Sequence, residues 1–166
     1  MKILVTGGTG YIGSHTVVEL QKKGFEVIIV DALFNSRIEV LDSIEKITGI
    51  RPEFESFDLA NQALTDDFFA RHDGINGIIH FAAHKAVGES VEQPIKYYRN
   101  NLDSLMNILE AMSKYNVLTW YFHHHVLSTD NLMLSIFLYR KWLLSRRQRV
   151  LMAIQNRLRK RLYQNQ

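Results

Sequence analysis

The chain has 166 residues, of which 46% are hydrophobic and 22% charged, a composition typical of a soluble globular domain. It contains no cysteine, which excludes a disulfide-stapled fold and a cysteine-ligated zinc site. No run of about 18 apolar residues and no signal-peptide pattern occurs in it, so we expect a cytoplasmic protein.

The net charge of +3 is divided unevenly along the chain. Residues 118–166 contain nine Lys or Arg and one acid, Asp130, and so carry +8. Residues 1–117 contain eleven Lys or Arg and sixteen acids, and so carry −5. Such asymmetry is typical of a chain with a nucleic-acid-binding or membrane-binding arm. It also arises when the two parts of a chain do not belong together.

Residues 1–117 have the pattern of strands alternating with helices. Short apolar runs rich in β-branched residues predict four strands, KILVTG, EVIIVD, PEFESFD and INGIIHFAA. Apolar residues at helical spacing predict four helices, SHTVVELQKKG, RIEVLDSIEKITG, QALTDDFFARH and NNLDSLMNILEAMSKY. This alternation predicts an α/β fold with a Rossmann-like, doubly wound parallel sheet. We expect the sheet to be incomplete, with no neighbour on the outer side of the fourth strand.

A glycine-rich loop, GGTGYIG, joins the first predicted strand to the first predicted helix. Gly7, Gly10 and Gly13 let the backbone turn tightly and approach a pyrophosphate, which the free N–H groups of the helix N-terminus can bind. Asp31 ends the next strand, where a carboxylate accepts hydrogen bonds from an adenosine ribose and repels a 2′-phosphate. The pattern therefore predicts NAD rather than NADP. The alternatives are a plain turn for the glycines and a loop cap for Asp31.

Several motifs resemble those of the extended short-chain dehydrogenase/reductases, and among these the UDP-glucose 4-epimerases. They are the glycine loop with Asp31, the pair Asn35 and Ser36, the FD ending at Asp58, and HFAAHKAVGESVEQPIKYYRNN, in which KAVGES is the most specific part. The resemblance covers residues 1–117. It implies a bound NAD, a UDP-sugar substrate, and a homodimer formed through helices that include residues 101–115.

The resemblance also assigns roles to individual residues. Those expected to bind the cofactor are Gly7, Gly10, Tyr11, Ile12, Gly13, Asp31, Asn35, Ser36, Asp58, Leu59, Phe81, Ala82, Ala83, Lys85 and Asn100. Those expected to face the sugar nucleotide, on a loop, are Lys85, Val87, Gly88, Glu89 and Ser90. The alternative for Lys85 is a solvated charge. We interpret four histidines of this region as packing or surface residues, namely His15, His72, His80 and His84.

The family's reaction, as the resemblance implies it, oxidises the sugar C4 transiently. A tyrosine takes the 4-OH proton, hydride passes to NAD, the keto sugar turns, and the hydride returns to its other face. A serine-rich stretch after the long helix and a Tyr-x-x-x-Lys motif carry this chemistry. Neither motif occurs here, because Leu143 stands at the fourth place after Tyr139 and Tyr163 is too near the end. We therefore predict no catalytic residues and no epimerase activity for this chain.

The segment YFHHHVLSTD, residues 121–130, suggests why these motifs are missing. Histidine codons are CAT or CAC, so a reading frame shifted by one base permits Ser-Ser-Ser-Cys-Thr-Val-Tyr-Gly across this segment. The same frame permits Ser-Pro-Tyr-Gly-Asn-Thr-Lys across residues 149–156. These are the two missing motifs, in the expected order. We hypothesise a single-base frameshift near Val117–Leu118, which divides the chain into an NAD-binding Rossmann portion, 1–117, and an out-of-frame basic tail, 118–166.

The tail has two further interpretations. Three adjacent histidines suggest a metal site, but neighbouring side chains on a strand point in opposite directions and only Asp130 offers another ligand nearby, so we predict no metal. The remaining tail mixes apolar and basic residues, and we expect it to be helical or disordered. As a selected feature, a basic amphipathic helix would make the chain a non-catalytic NAD-binding module with a nucleic-acid- or membrane-binding arm. We predict neither of these partners.

Overall fold

The computed structural model describes residues 1–84, 86–117 and 119–122. The chain divides into two units, residues 1–124 and 125–166, and the fold reported below is that of the first unit. Lys85, the three histidines, residues 123–130 of the first hypothesised shifted motif and residues 149–156 of the second lie outside the described residues.

This part of the chain forms five strands and five helices, which alternate except that the last two helices follow one another. The strands are β1 (Lys2–Thr6), β2 (Glu26–Val30), β3 (Glu53–Glu55), β4 (Ile75–His80) and β5 (Thr119–Phe122). The helices are α1 (Tyr11–Lys22), α2 (Val40–Thr48), α3 (Gln62–Arg71), α4 (Val87–Glu92) and α5 (Pro94–Lys114).

The strands form one parallel sheet in the order β3-β2-β1-β4-β5. The α/β, Rossmann-like prediction is confirmed, because β1 is central and the chain winds outward from it in both directions. Among the described helices, none combines the length and apolarity needed to cross a membrane.

Alternate residues of each strand point to opposite faces of the sheet, and each face has its own apolar core. The first core draws on β1, β2, β4, α3 and α5, and includes Leu4, Ile28, Ile78, Phe68, Phe69, Ile108 and Met112. The second core draws on β1, β2, α1 and α2, and includes Ile3, Val5, Ile29, Val17, Leu41 and Ile44. The strands of a sheet covered on both faces are almost wholly apolar, which explains their continuous apolar runs.

Charged side chains join the β3 edge of the sheet to the end of α3. Glu55 accepts two hydrogen bonds of 2.8 Å from the guanidinium of Arg71, and His72 Nε2 lies 2.5 Å from Glu55 Oε1. Hydrogen bonding by Arg71 lowers the pKa of Glu55 to about 2. The His72 ring also lies 4.5 Å from the ring of Phe68, which connects the charged edge to the first core.

Three elements differ from the sequence-based expectation. The long helix begins at Pro94 rather than at Asn100, because proline is well suited to the first helical position. The segment predicted as a loop runs from Lys85 to Ser90. Its residues from Val87 onward belong to the short helix α4, Val87–Glu92. The expectation that the fourth strand has no outer neighbour is wrong, because Thr119–Phe122, of β-prone residue types, pairs with β4.

Candidate functional site

A cleft opens at the carboxyl ends of β1, β2 and β4, the edge at which open parallel sheets bind ligands. Its volume is about 340 Å³. Apart from Lys85, every residue predicted to bind the cofactor lines this cleft. Five residues line it without having been predicted, namely Ala32, Phe34, Phe57, His84 and Ser104.

The glycine loop brings backbone atoms together more closely than any side chain would allow. A Cβ on Gly13 would lie 2.2 Å from the carbonyl oxygen of Gly7, and a Cβ on Gly7 would lie 2.7 Å from the backbone nitrogen of Ala82. Gly7 also has a φ of +66°, in the left-handed region that favours glycine. The loop therefore forms a cradle that only glycine can build.

Helix α1 begins directly behind this cradle. Its N-cap is Gly10, which offers no side-chain oxygen to the first-turn N–H groups. Tyr11, Ile12 and Gly13 form this first turn and line the cleft. An uncapped helix N-terminus presents N–H donors and the positive end of the helix dipole, so this end of the cleft suits an anion.

Asp31 stands on the β2 side of the cleft and is 9% exposed. Its carboxylate accepts hydrogen bonds from Thr9 N at 3.2 Å, Leu33 N at 2.9 Å and Ser36 Oγ at 3.2 Å. Leu33 has a φ of 58°, a conformation that its bond to Asp31 stabilises. Asp31 therefore caps its loop, as the alternative interpretation expected. A carboxylate offers about four lone-pair positions, so it retains acceptor capacity for a ligand hydroxyl.

The end of β4 is fixed to β1 through a buried polar pair. Thr6 Oγ1 lies 2.6 Å from His80 Nδ1, and His80 is 1% exposed. Beyond it, Phe81 N donates to Thr6 O at 3.0 Å, which continues the pairing into the cleft wall. These contacts hold Phe81 and Ala82 beside the glycine loop.

His84 lines the cleft, although we interpreted it from the sequence as a packing or surface residue; its place between Ala83 and Lys85, both predicted to bind the cofactor, was the signal that could have found it. Its N–H donates to Asn101 Oδ1 at 2.8 Å, and its carbonyl accepts from Asn101 Nδ2 at 3.2 Å. Its ring lies between those of Phe34 and Tyr97, with centroids 5.3 Å and 5.4 Å away. Three-dimensional contacts, rather than the sequence pattern, place this histidine at the cleft.

Four of the five residues predicted to face the sugar nucleotide, Val87 to Ser90, belong to α4, and Lys85 lies outside the described residues. Gly88, Glu89 and Ser90 are not among the residues that line the cleft. Glu89 accepts hydrogen bonds from Lys96 Nζ at 2.6 Å and from Tyr97 Oη at 2.7 Å. Hydrogen bonding by Lys96, and then by Tyr97, holds the pKa of Glu89 below its usual range. Gly88 has open space where a Cβ would stand. The role of Gly88, Glu89 and Ser90 in sugar binding stays a prediction, as does that of Val87, whose side chain is not described.

Metal ions in proteins are held by clusters of side chains. Within residues 1–84, 86–117 and 119–122, no three His, Cys, Asp or Glu side chains are placed to hold a metal ion. The cleft instead combines a glycine cradle, an uncapped helix end and a buried carboxylate on the neighbouring strand. This combination suits a ligand with a phosphate in the middle and a ribose at one side.

The sequence profile of the NAD dependent epimerase/dehydratase family matches residues 3–131. The chain belongs to this family. Membership in the epimerase/dehydratase family accounts for the glycine loop at the first strand–helix junction and for the parallel sheet built around it. The match covers the strands and helices described above except for Lys2, the first residue of β1.

Relatives within the epimerase/dehydratase family resemble the chain over a limited length. The UDP-glucose 4-epimerase of Schizosaccharomyces pombe is 52% identical over 115 residues, which are 69% of this chain and 32% of the relative. That of Bacillus subtilis is 50% identical over 117 residues, 70% of this chain and 34% of the relative. The chain thus spans about a third of the length of these proteins.

A solved structure gives the same result. The UDP-glucose 4-epimerase of Bifidobacterium longum, crystallised in complex with NAD+ and UDP, superposes with a TM-score of 0.72 at 44% identity. The superposition covers 76% of this chain and 37% of that structure. The resemblance to UDP-glucose 4-epimerases is therefore confirmed for the N-terminal part of the chain.

Proposed function

We propose that residues 1–117 are the NAD-binding part of a UDP-glucose 4-epimerase. The observation that carries this proposal is the cleft, in which the glycine cradle and Asp31 meet at neighbouring strand ends. The related structure from Bifidobacterium longum, which holds NAD+ and UDP, supports the choice of ligand.

In this proposal, different residues of the cleft bind different parts of the dinucleotide. The N–H groups of Tyr11, Ile12 and Gly13 bind the pyrophosphate at the uncapped end of α1. Asp31 accepts a hydrogen bond from the adenosine ribose and, as an anion, disfavours a 2′-phosphate. Phe81 and Ala82, held against β1, face the other ribose. NAD supplies the hydride acceptor of the reaction when bound.

The serine-rich stretch and Tyr-x-x-x-Lys, which carry the family's chemistry, are absent from the sequence. In this proposal the chain therefore lacks the tyrosine that takes the sugar hydroxyl proton in the family's reaction. We propose that the chain as it stands binds NAD and does not interconvert UDP-glucose and UDP-galactose. The intact gene product would do both.

The test is a calorimetric titration of the purified 166-residue chain with NAD and with NADP, followed by an assay with UDP-galactose. We expect NAD to bind, NADP to bind more weakly because of Asp31, and UDP-galactose to remain unconverted. Turnover of UDP-galactose would contradict the predicted inactivity. Equal binding of NADP would contradict the role of Asp31.

The frameshift is a separate proposal about the tail. The two relatives named above align over 115 and 117 residues of this 166-residue chain, which supports a change of character after the part that they match. The family profile extends further, to residue 131. The test is to resequence the DNA across the codons for Lys114 to His125. A one-base correction that restores both motifs supports the proposal. A sound reading frame would contradict it and leave the alternative of a basic arm, which salt-sensitive DNA or vesicle binding would reveal.

We also propose a homodimer formed through α5. Exposed apolar side chains follow one face of this helix at helical spacing, namely Ile95, Tyr98, Leu102 and Met106. A second copy would remove this stripe from water. Light scattering after size exclusion should give a dimer for the wild type and a monomer for Leu102→Glu. A monomeric wild type would contradict the proposal.

A further inference from the structure

Phe34 and His84 bridge the cleft from opposite sides. Their ring centroids lie 5.3 Å apart, with the ring planes tilted by 45°. Phe34 follows β2 and His84 follows β4, and these two strands flank β1. Neighbouring strands lie about 4.8 Å apart, so β2 and β4 are roughly 10 Å apart. The two side chains therefore close a gap that the backbones leave open above the glycine loop.

One side of this bridge is fixed and the other is exposed. Asn101 holds the backbone of His84 through two hydrogen bonds, of 2.8 Å and 3.2 Å. The ring centroids of His84 and Tyr97 lie 5.4 Å apart. Tyr97 is 6% exposed, and its hydroxyl donates a hydrogen bond to Glu89. Phe34, by contrast, is 61% exposed on its loop. His84 thus forms a supported wall against which the Phe34 ring rests.

We infer that Phe34 and His84 form an aromatic bridge over the bound dinucleotide and slow its release. A dinucleotide in this fold crosses the carboxyl end of β1 with its pyrophosphate at the glycine loop. Phe34 and His84 line the same cleft as that loop, so in this inference the dinucleotide would lie between the loop and the two rings. The inference rests on the NAD binding proposed above. The bridge acts on the residence time of the cofactor and takes no part in the chemistry.

The experiment measures the release of radiolabelled NAD from the purified full chain after addition of excess unlabelled NAD. Phe34→Ala and His84→Ala should each release NAD about 3- to 10-fold faster, the range that one aromatic pair supplies. The double variant should release it no faster than the single variants, because both substitutions remove the same contact. Phe34 is exposed, so its replacement leaves the fold intact.

Two further variants serve as controls. His84→Phe keeps an aromatic ring and removes the imidazole, so it should retain slow release. Ile47→Ala should leave the release rate unchanged, since Ile47 is also 61% exposed but lies on α2, outside the cleft lining. Release from His84→Phe as fast as that from His84→Ala would overturn the aromatic bridge.

The remaining outcomes separate the bridge from the proposed function. Normal NAD binding with unchanged release in both alanine variants, or with additive effects, would overturn the bridge and leave the NAD binding in place. Tighter NAD binding by Phe34→Ala would also overturn it, because the rings would then obstruct the cleft. If the wild-type chain binds no NAD, the proposed function fails and the bridge fails with it.

Discussion

On the β2 side of the cleft, the Asp31 carboxylate accepts three hydrogen bonds from its own loop and from the glycine loop. It also lines the cavity. On the α4 side, Glu89 is engaged by Lys96 and Tyr97 and lies outside the cavity lining. Both carboxylates are predicted ligand-binding groups. Asp31 lines the cleft and Glu89 does not, and the ligand-binding role of each stays a prediction.

We call these two regions the cofactor side and the sugar side, after the ligands predicted for them. The difference teaches that the residues predicted for the cofactor side line a cleft within the described chain, whereas Gly88, Glu89 and Ser90, predicted for the sugar side, do not. The cradle of Gly7 and Gly13 closes on the backbone of β1 and β4, so its geometry needs nothing further. In the structure, Glu89 is already hydrogen-bonded to Lys96 and Tyr97, so a ligand would compete with these two contacts for its carboxylate. Four predictions test or sharpen this contrast, from the largest expected effect to the smallest.

Gly13→Ala should have the largest effect. The added Cβ would meet the Gly7 carbonyl oxygen at 2.2 Å and the Gly8 Cα at 2.8 Å, and neither backbone atom can move without opening the loop. We expect the free energy of unfolding to fall by about 2–3 kcal/mol and NAD binding to disappear. Urea unfolding and calorimetric titration measure the two quantities.

The matched control is Gly88→Ala on the other side of the contrast. No atom lies within 4 Å of its added Cβ, and Gly88 stands within α4. The substitution should raise stability by up to about 1 kcal/mol, since alanine favours a helix over glycine. A similar loss of stability in both variants would contradict the steric clash expected at Gly13.

Replacement of Asp31 by asparagine should come next. A hydrogen bond to a charged group contributes about 1.5–3 kcal/mol, so we expect the affinity for NAD to fall about 10- to 100-fold. The affinity for NADP should fall less, because the repulsion of its 2′-phosphate is relieved. The control is Asp42→Asn. Asp42 is an exposed acid on α2 that pairs with Arg51, and its replacement should change neither affinity. Equal losses for both dinucleotides would contradict the assignment.

The pH dependence of stability tests how the cofactor side is held at its outer edge. The folded-state pKa of Glu55, about 2, lies below its ordinary value of 4.5 because of Arg71. Its contribution to stability is therefore fully present above pH 4.5 and is lost as the pH falls towards 2. Urea unfolding between pH 7 and pH 2.5 should show a smaller loss for Glu55→Gln than for the wild type. Parallel curves would refute a role for this ion pair.

Glu89→Gln should have the smallest effect. The Glu89 side chain is 39% exposed, and exposed ion pairs contribute little to stability. The folded-state pKa of Glu89 is lowered, so any contribution it makes is present at neutral pH and declines in acid. NAD affinity should stay within about twofold of the wild type, since Glu89 lies outside the cleft lining. A marked loss of affinity would place α4 on the cofactor side.

The fold was predictable where local patterns and burial agree. The apolar runs of β1 and β2 have the composition of strands covered on both faces, and they are so covered. The glycine loop was also predictable, because only a close backbone approach explains Gly7 and Gly13 together. These residues and Asp31 belong to one short segment, whose spacing defines their arrangement.

The remaining features depend on contacts between distant residues. Helix α4 has six residues and a glycine, and it is joined to α5 by Glu89, Lys96 and Tyr97. His84 reaches the cleft because Asn101, on the next long helix, holds its backbone. Strand β5 exists through its register with β4. No periodicity in these segments could reveal such partners.

The central position of β1 has a consequence for synthesis on the ribosome. Its neighbour β2 follows soon after it, but His80 of its other neighbour lies 74 residues after Thr6. At about 5–20 residues per second, the middle of the sheet waits roughly 4 to 15 seconds for its second partner. Both partners are nevertheless translated before residue 118. An error in the message beyond that codon would therefore leave the sequence of the central strand and of both its partners unchanged.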